Sequence, residues 1–102
     1  SINEQKKSLP NHFHLEQNYP NPFNPETQFS YTLTKDEGIE LAVYNVMGKV
    51  IYILYKGLQR AGNHNVLWSG VDQNNNSVPS GIYFYRLRAG STTKTKKMAL
   101  NR

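Results

Sequence analysis

The chain has 102 residues, no cysteine and a net charge of +5 at neutral pH. This length suits one domain, and a composition of 37% hydrophobic and 19% charged residues is typical of a folded chain rather than a disordered one. The lack of cysteine excludes disulfides and thiolate metal sites. No apolar stretch approaches the roughly 18 residues that a membrane-spanning helix needs. The first residues lack the apolar core of a signal peptide, so for an exported parent protein we expect the targeting signal elsewhere.

The charges are unevenly distributed along the chain. Every acidic residue lies at or before Asp72, and the end of the chain is purely basic. The basic residues of this final part are Arg86, Arg88, Lys94, Lys96, Lys97 and Arg102. Two interpretations stay open: an edge strand that lysines protect from aggregation, or a surface that contacts an anionic partner.

The N-terminal quarter shows no strand or helix periodicity. Residues 1–14 mix charges, Pro10 and two histidines, and we predict that they form a linker. Residues 19–25 contain three prolines at nearly alternating positions, which fix φ and exclude a helix or a central strand. We therefore expect a rigid turn that leads into the first strand.

From residue 27 onward, apolar residues alternate with polar ones in a pattern typical of strands. Strands are predicted at 27–33, 39–43, 50–55, 64–68, 81–89 and 92–100, with a loop at 57–62 and a long polar loop at 69–80. Six to seven short strands with turns at intervals of about 8 to 12 residues predict an all-β fold, an antiparallel β-sandwich.

No group of residues in the sequence predicts catalysis or a cofactor. The seven acidic residues are scattered, and no recognisable motif surrounds any serine, so we expect no enzyme activity. His12 and His14 could bind a transition metal only weakly. Residues 72–76 resemble the start of a calcium loop, but Ser77 and Tyr83 stand where glycine and a bidentate glutamate are needed, so a turn is predicted instead.

Aromatic residues raise two further possibilities. Sugar stacking would use exposed rings, for which the candidates are Tyr19, Phe23, Tyr44, Tyr52, Tyr55 and Trp68. Trp68 shares a strand face with Val66, which favours a place in the core. Nucleic-acid binding is not expected, because the aromatic residues nearest Arg86 and Arg88 continue an apolar face.

Five blocks of sequence point to a known family. They are residues 15–27, Val43-Tyr44-Asn45 with Gly48, residues 61–70, residues 80–87 and residues 96–100. In order and spacing they resemble the C-terminal sorting domains of the type IX (Por) secretion system, and they are similar to the related immunoglobulin-like module of the flagellar hook-capping protein. The family often has glycine at the position of Asn75 and aspartate at that of Ser69. Asparagine tolerates positive φ, so we expect the turn at Asn75 to survive.

The resemblance implies an immunoglobulin-like domain over residues 15–102, preceded by a linker over 1–14 in which a sortase-like peptidase cuts. It implies a monomer attached to an N-terminal cargo domain, and a type IX outer-membrane translocon as partner. The cargo would pass through the periplasm to the cell surface or the medium, and the match to the last residues suggests a natural C-terminus. It implies no catalytic role, cofactor, metal or nucleic acid.

The family motifs also supply the candidate recognition residues. These are Gly81 and Tyr83 of a Gly-x-Tyr motif, and Lys94, Lys96, Lys97, Met98 and Leu100 of the last strand. They would act through an exposed strand edge or a charged patch. Two alternatives stay open at this stage: a carbohydrate-binding or adhesive module, and a structural spacer of a secreted enzyme.

Overall fold

A computed structural model describes residues 13–102 and shows seven β-strands and, among these residues, no helix. The strands are β1 (Phe13–Leu15), β2 (Thr27–Leu33), β3 (Glu37–Tyr44), β4 (Val50–Gln59), β5 (Gly62–Trp68), β6 (Gly81–Ala89) and β7 (Thr92–Leu100). All pairings between these strands are antiparallel. The predicted all-β antiparallel sandwich is therefore confirmed.

The strands divide between two sheets as in an immunoglobulin-like domain. One sheet has the order β1-β2-β5 and the other the order β4-β3-β6-β7. Two hairpins, β3–β4 and β6–β7, stay within the larger sheet, whereas the connections from β2 to β3, β4 to β5 and β5 to β6 cross between sheets. These crossings let each sheet cover the apolar face of the other. The strand order makes β4 and β7 the edge strands of the larger sheet.

The core lies between the sheets and follows the alternation of the strands. On the predicted strand at 27–33, which is β2, the buried apolar residues are Phe29, Tyr31 and Leu33. Buried residues of β3 and β6 face them, namely Ile39, Leu41, Val43, Tyr83, Tyr85, Leu87 and Ala89. The rings of Phe29 and Tyr85 join the two sheets, with centroids 4.6 Å apart.

Strand β1 was not predicted. Phe13 and His14 fall within the predicted linker, yet they pair with Leu33 and Thr32 of β2. Three residues are too few to show a period, and only the burial of Phe13 and Leu15 reveals the strand. The rest of the predicted linker, residues 1–12, lies outside the described residues.

The predicted loop at 57–62 is wrong. Strand β4 runs to Gln59 and β5 starts at Gly62, which leaves only Arg60 and Ala61 between them. Gly57 has a φ of 144° and pairs with Ile39 inside the ladder, so this glycine accommodates an unusual strand conformation and does not end the strand.

Candidate functional site

The candidate recognition residues all lie on the β6–β7 hairpin. The two strands pair without a register shift from Gly81–Leu100 to Ala89–Thr92. At the open end of the hairpin, Tyr83 faces Met98 and Gly81 faces Leu100. The pairing therefore brings the Gly-x-Tyr motif and the terminal motif together, although Tyr83 and Met98 lie 15 positions apart in the chain.

Gly81 and Tyr83 have different surroundings. Gly81 is exposed, with a φ of 152° that disfavours other residues. Tyr83 is buried, packs edge-on against Trp68, and donates its hydroxyl to the carbonyl of Pro79 at 2.7 Å. Burial raises the pKa of Tyr83, although nearby Arg102 opposes the shift. This bond from an early residue of β6 back to the preceding loop matches the tyrosine corner of immunoglobulin-like sandwiches.

The three lysines of β7 do not form one patch. Lys94 and Lys96 share the strand face that carries the buried Met98, whereas Lys97 points to the opposite face and is exposed. The ammonium group of Lys94 donates to the carbonyl of Phe13 at 2.9 Å and lies 5.1 Å from the centroid of the Phe13 ring. Lys94 therefore has a structural contact of its own at the start of β1. Lys97 is the most accessible of the three cations.

Met98 and Leu100 are core residues, with 1% and 2% of their surface exposed. Their side chains face inward and belong to the same apolar cluster as Phe23 and Trp68. In the folded domain they are not accessible to a partner. Any contribution that they make to recognition therefore acts through the position of β7.

Residues 17–25 cover part of the outer edge of β7. Phe23 donates its N–H to the carbonyl of Ala99 at 3.0 Å, and its own carbonyl accepts from the N–H of Asn101 at 2.9 Å. The side chain of Asn21 accepts from the N–H of Ala99 at 3.0 Å, and that of Gln17 donates to the carbonyl of Lys97 at 2.9 Å. The proline-rich segment thus closes the end of β7 as an extra, irregular edge.

A shorter stretch of the same edge stays open within the described chain. Backbone groups of alternate residues point away from the partner strand, and Ala99 shows which set points outward on β7. By this alternation Thr93 and Thr95 also direct their N–H and C=O groups outward. Within residues 13–102, no strand lies beside them on that side. Such groups can pair with an added strand.

Sequence reasoning missed a buried polar residue that fixes the covering segment. Asn18 is 2% exposed, and its side-chain amide donates to the carbonyl of Pro20 at 3.1 Å and to the hydroxyl of Thr27 at 3.0 Å. Its N–H donates to the hydroxyl of Tyr85 at 2.8 Å, and that hydroxyl donates to the carbonyl of Glu16 at 2.7 Å. Burial raises the pKa of Tyr85 to about 12, against the lowering effect of the bond from Asn18. The only signal in the sequence was the place of Asn18 within the first family block.

Arg102 was also missed as a structural residue. Its guanidinium donates to the carbonyl of Gly70 at 2.6 Å and to that of Val78 at 2.7 Å. A side chain at Gly70 would place its Cβ 2.7 Å from that guanidinium, and the φ of 72° also favours glycine. Arg102 therefore holds both ends of the 69–80 loop, a contact that no local pattern predicts.

The aromatic candidates for sugar stacking do not share an exposed surface. Phe23 and Trp68 are buried, Tyr44, Tyr52 and Tyr55 are half-buried, and Tyr19 is 80% exposed. The prediction that Trp68 lies in the core is confirmed. A single exposed ring gives no row of stacking positions.

The predicted turn at 72–76 is present. The carboxylate of Asp72 accepts from the N–H groups of Asn74 and Asn76, both at 2.9 Å, and Asn75 has a φ of 65°, as expected. Residues 13–102 contain no group of three or more His, Asp or Glu that could hold a metal ion. In the same part of the chain, no helix has the length and apolarity that a membrane crossing requires.

Comparison with known families gives one match that spans most of the chain. A family model described as a secretion system C-terminal sorting domain matches residues 17–101. A basal-body rod modification protein, FlgD of Buchnera aphidicola subsp. Acyrthosiphon pisum (strain APS), is 37% identical over 59 residues, which are 57% of this chain. The chain spans only about a quarter of the length of that curated relative.

Solved structures show the same fold. Latent PorU from Porphyromonas gingivalis superposes with a TM-score of 0.73 at 19% identity, over 94% of this chain and 10% of that one. PorZ of the same organism, described as a surface component of the type IX secretion system, gives 0.60 at 20% identity, over 84% and 11%. FlgD from P. aeruginosa gives 0.56 at 25% identity, over 72% and 58%. This chain therefore corresponds to a small part of the first two proteins.

Proposed function

Because this chain belongs to the family of C-terminal sorting domains of the type IX (Por) secretion system, we propose that it directs an attached cargo protein across the outer membrane. Membership implies attachment to a cargo chain and secretion to the cell surface or the medium. The match over residues 17–101 is the observation that carries the proposal. In this proposal the domain is a signal with no catalytic role, and it passes through the periplasm as a monomer before the outer-membrane translocon recognises it.

We place recognition on the accessible parts of the β6–β7 hairpin. Lys97 and Gly81 are exposed at its open end, and Thr93 and Thr95 offer outward backbone groups for strand addition. Lys94 and Lys96 would flank such an added strand from the inner face. Tyr83, Met98 and Leu100 are buried, and would support recognition by fixing the hairpin in the core.

Removal of the domain by a sortase-like peptidase is a further part of the proposal. Phe13 and Leu15 are buried and paired with β2, so a cut at either would first have to open the sheet. A peptidase needs an extended and accessible segment. We therefore place the cut before Phe13, in the predicted linker. Mass spectrometry of the released domain would identify the residue at which the peptidase cuts.

The test fuses residues 1–102 to the C-terminus of a periplasmic reporter. The fusion is expressed in a host with a type IX system and in the same host without the translocon. We expect the reporter at the cell surface or in the medium of the first host, and in the periplasm of the second. Equal distribution of the reporter in the two hosts would show that the sorting proposal is wrong.

A charge reversal then tests the recognition surface. Deletion of residues 95–102 is unsuitable, because it removes Met98 and Leu100 from the core. Lys97→Glu changes an exposed side chain instead, with Lys56→Glu on β4 as the matched control. We expect Lys97→Glu to lower the exported fraction by roughly tenfold, as a loss of about 1.4 kcal/mol in binding would. Equal export of the two variants would show that Lys97 does not belong to the recognition surface.

A further inference from the structure

The β3–β4 turn is held rigidly by one side chain. The carboxamide oxygen of Asn45 accepts from the N–H of Met47 at 2.9 Å and from that of Lys49 at 3.0 Å. The backbone of Asn45 also donates to the carbonyl of Lys49 and accepts from Gly48, both at 3.0 Å. Gly48 has a φ of 84°, which completes the turn. Four bonds within five residues therefore fix the backbone that carries the two side chains between them.

Those two side chains are apolar and exposed. Val46 is 66% exposed and Met47 is 85% exposed, although nothing in the turn itself requires apolar residues. Ile82 of β6, 42% exposed, lines the same depression as Val46. Single apolar residues on a surface are ordinary, but exposed apolar residues that lie together, as Val46 and Ile82 do, are typical of an interaction site. We name Val46, Met47, Ile82 and Arg86 the turn patch.

Val46 separates two shallow depressions. The first, of about 320 Å³, lies between Val46, Ile82 and the loop residues Val78 to Gly81. The second, of about 200 Å³, lies between Val46, Tyr44, Phe84 and Arg86. Small-molecule sites usually enclose about 300–1,000 Å³. The first depression is at the lower end of that range and the second is below it, and both are open, so they suit single side chains of another protein better than a metabolite.

The positive charge of Arg86 in the turn patch favours a partner that carries a negative charge. The guanidinium of Arg86 lies 4.2 Å from the centroid of the Tyr44 ring and bonds to the Tyr44 hydroxyl, but it has no carboxylate partner in the described chain. Arg88, two residues on, pairs with Glu40 and is neutralised. None of the residues that line the two depressions carries a carboxylate. An acidic partner would therefore meet an uncompensated cation and no repulsion.

We propose that the turn patch is a docking surface for a protein component of the sorting machinery, one that presents apolar side chains next to a carboxylate. The apolar side chains enter the depressions on either side of Val46, and the carboxylate pairs with Arg86. The rigid turn has already lost the conformational entropy that binding would otherwise cost. This inference rests on the proposed sorting function, and it names a second surface, distinct from the edge of β7.

The test uses the same reporter fusion with Val46→Glu, which places a negative charge where an acidic partner would dock. The matched control is Leu67→Glu on β5, because Leu67 is 60% exposed and lies on the other sheet. We expect Val46→Glu to lower the exported fraction by about tenfold or more, and Leu67→Glu to leave it within about twofold. Arg86→Gln should reproduce part of the loss.

Folding is checked separately by the melting temperature of each purified fusion. If Val46→Glu melts early, Met47→Glu replaces it, because a side chain that is 85% exposed has little packing to lose. Export of Val46→Glu and Met47→Glu at the level of the unmodified fusion would overturn the proposal that the turn patch is a docking surface. It would leave the proposed sorting function intact. Failure of the unmodified fusion to leave the periplasm would instead overturn the sorting function, and the turn patch with it.

Discussion

The domain has two long connections between strands, residues 16–26 and residues 69–80. Two tyrosines of β6, two positions apart, each form hydrogen bonds to one of these connections. Tyr85 bonds to Glu16 and Asn18 of the first connection, and Tyr83 bonds to Pro79 of the second. The first connection is organised around a side chain that is buried, Asn18. The second is organised around an exposed Asx turn at Asp72, with Arg102 bonded to the carbonyls near its ends.

From this difference we expect burial, more than the number of hydrogen bonds, to decide what a connection contributes to stability. When a buried bond is lost, its partner is left without water, at a cost of about 1–3 kcal/mol. When an exposed bond is lost, water replaces the missing partner. The first connection should therefore respond strongly to substitution and the second weakly. Three measurements test this contrast.

The largest effect is expected for Asn18→Ala. The change removes the amide that donates to the Pro20 carbonyl and to the Thr27 hydroxyl, and it leaves the buried Thr27 hydroxyl with one partner fewer. We expect the free energy of unfolding to fall by about 2–3 kcal/mol, as measured by denaturant titration. Asn24→Ala is the control, because Asn24 is exposed in the same segment. Equal losses for the two variants would contradict the role assigned to burial.

A pH-dependent effect is expected under alkaline conditions. An unfolded tyrosine ionises near pH 10, whereas burial holds the pKa of Tyr85 and that of Tyr31 at about 12. The stability from these neutral hydroxyls is therefore fully present below pH 10 and is lost as the pH rises from 10 to 12. Unfolding free energies measured across this window should fall. Tyr85→Phe should show a shallower fall, and an unchanged slope in that variant would contradict the assignment.

The smallest effect is expected for Asp72→Ala. The substitution breaks two bonds to the N–H groups of Asn74 and Asn76, but all of these groups are near solvent. We expect a loss of about 0.5 kcal/mol in unfolding free energy, with faster amide exchange confined to the 72–76 turn. A loss as large as that of Asn18→Ala would remove the distinction between the two connections.

Much of the fold could be predicted because alternation is a local property. The inward faces of β2, β3 and β6 follow from residues two positions apart, and the structure places them in the core. Strand β1 has only three residues, too few to show alternation, so the pattern did not predict it. Gly57 resembles a strand end, so the pattern ended β4 too early. Asn18 and Arg102 are polar residues whose partners lie far away in the chain, and no nearby residue reveals them.

The sequence predicts which strands carry the candidate recognition residues, but not how their side chains are arranged. The hairpin register places Tyr83 opposite Met98, a pairing that the two motifs alone do not predict. Grouping the three lysines by their nearness in sequence was misleading, because alternation places Lys97 on the face opposite Lys94 and Lys96. The turn patch was not found, because Val46 and Met47 resemble an ordinary end of an apolar strand. Only the three-dimensional structure shows that they are exposed.

The bridge between Phe23 and Leu100 has a consequence for biosynthesis. During translation, residues 17–25 leave the ribosome well before residues 97–101. Until residues 97–101 emerge, the proline-rich segment has no strand to cover. The core also lacks Met98 and Leu100 at that point. Native contacts between such distant parts of a chain form late. We therefore expect the domain to complete its fold only after the chain has been synthesised through residue 101. Truncated products would lack the covered end of β7.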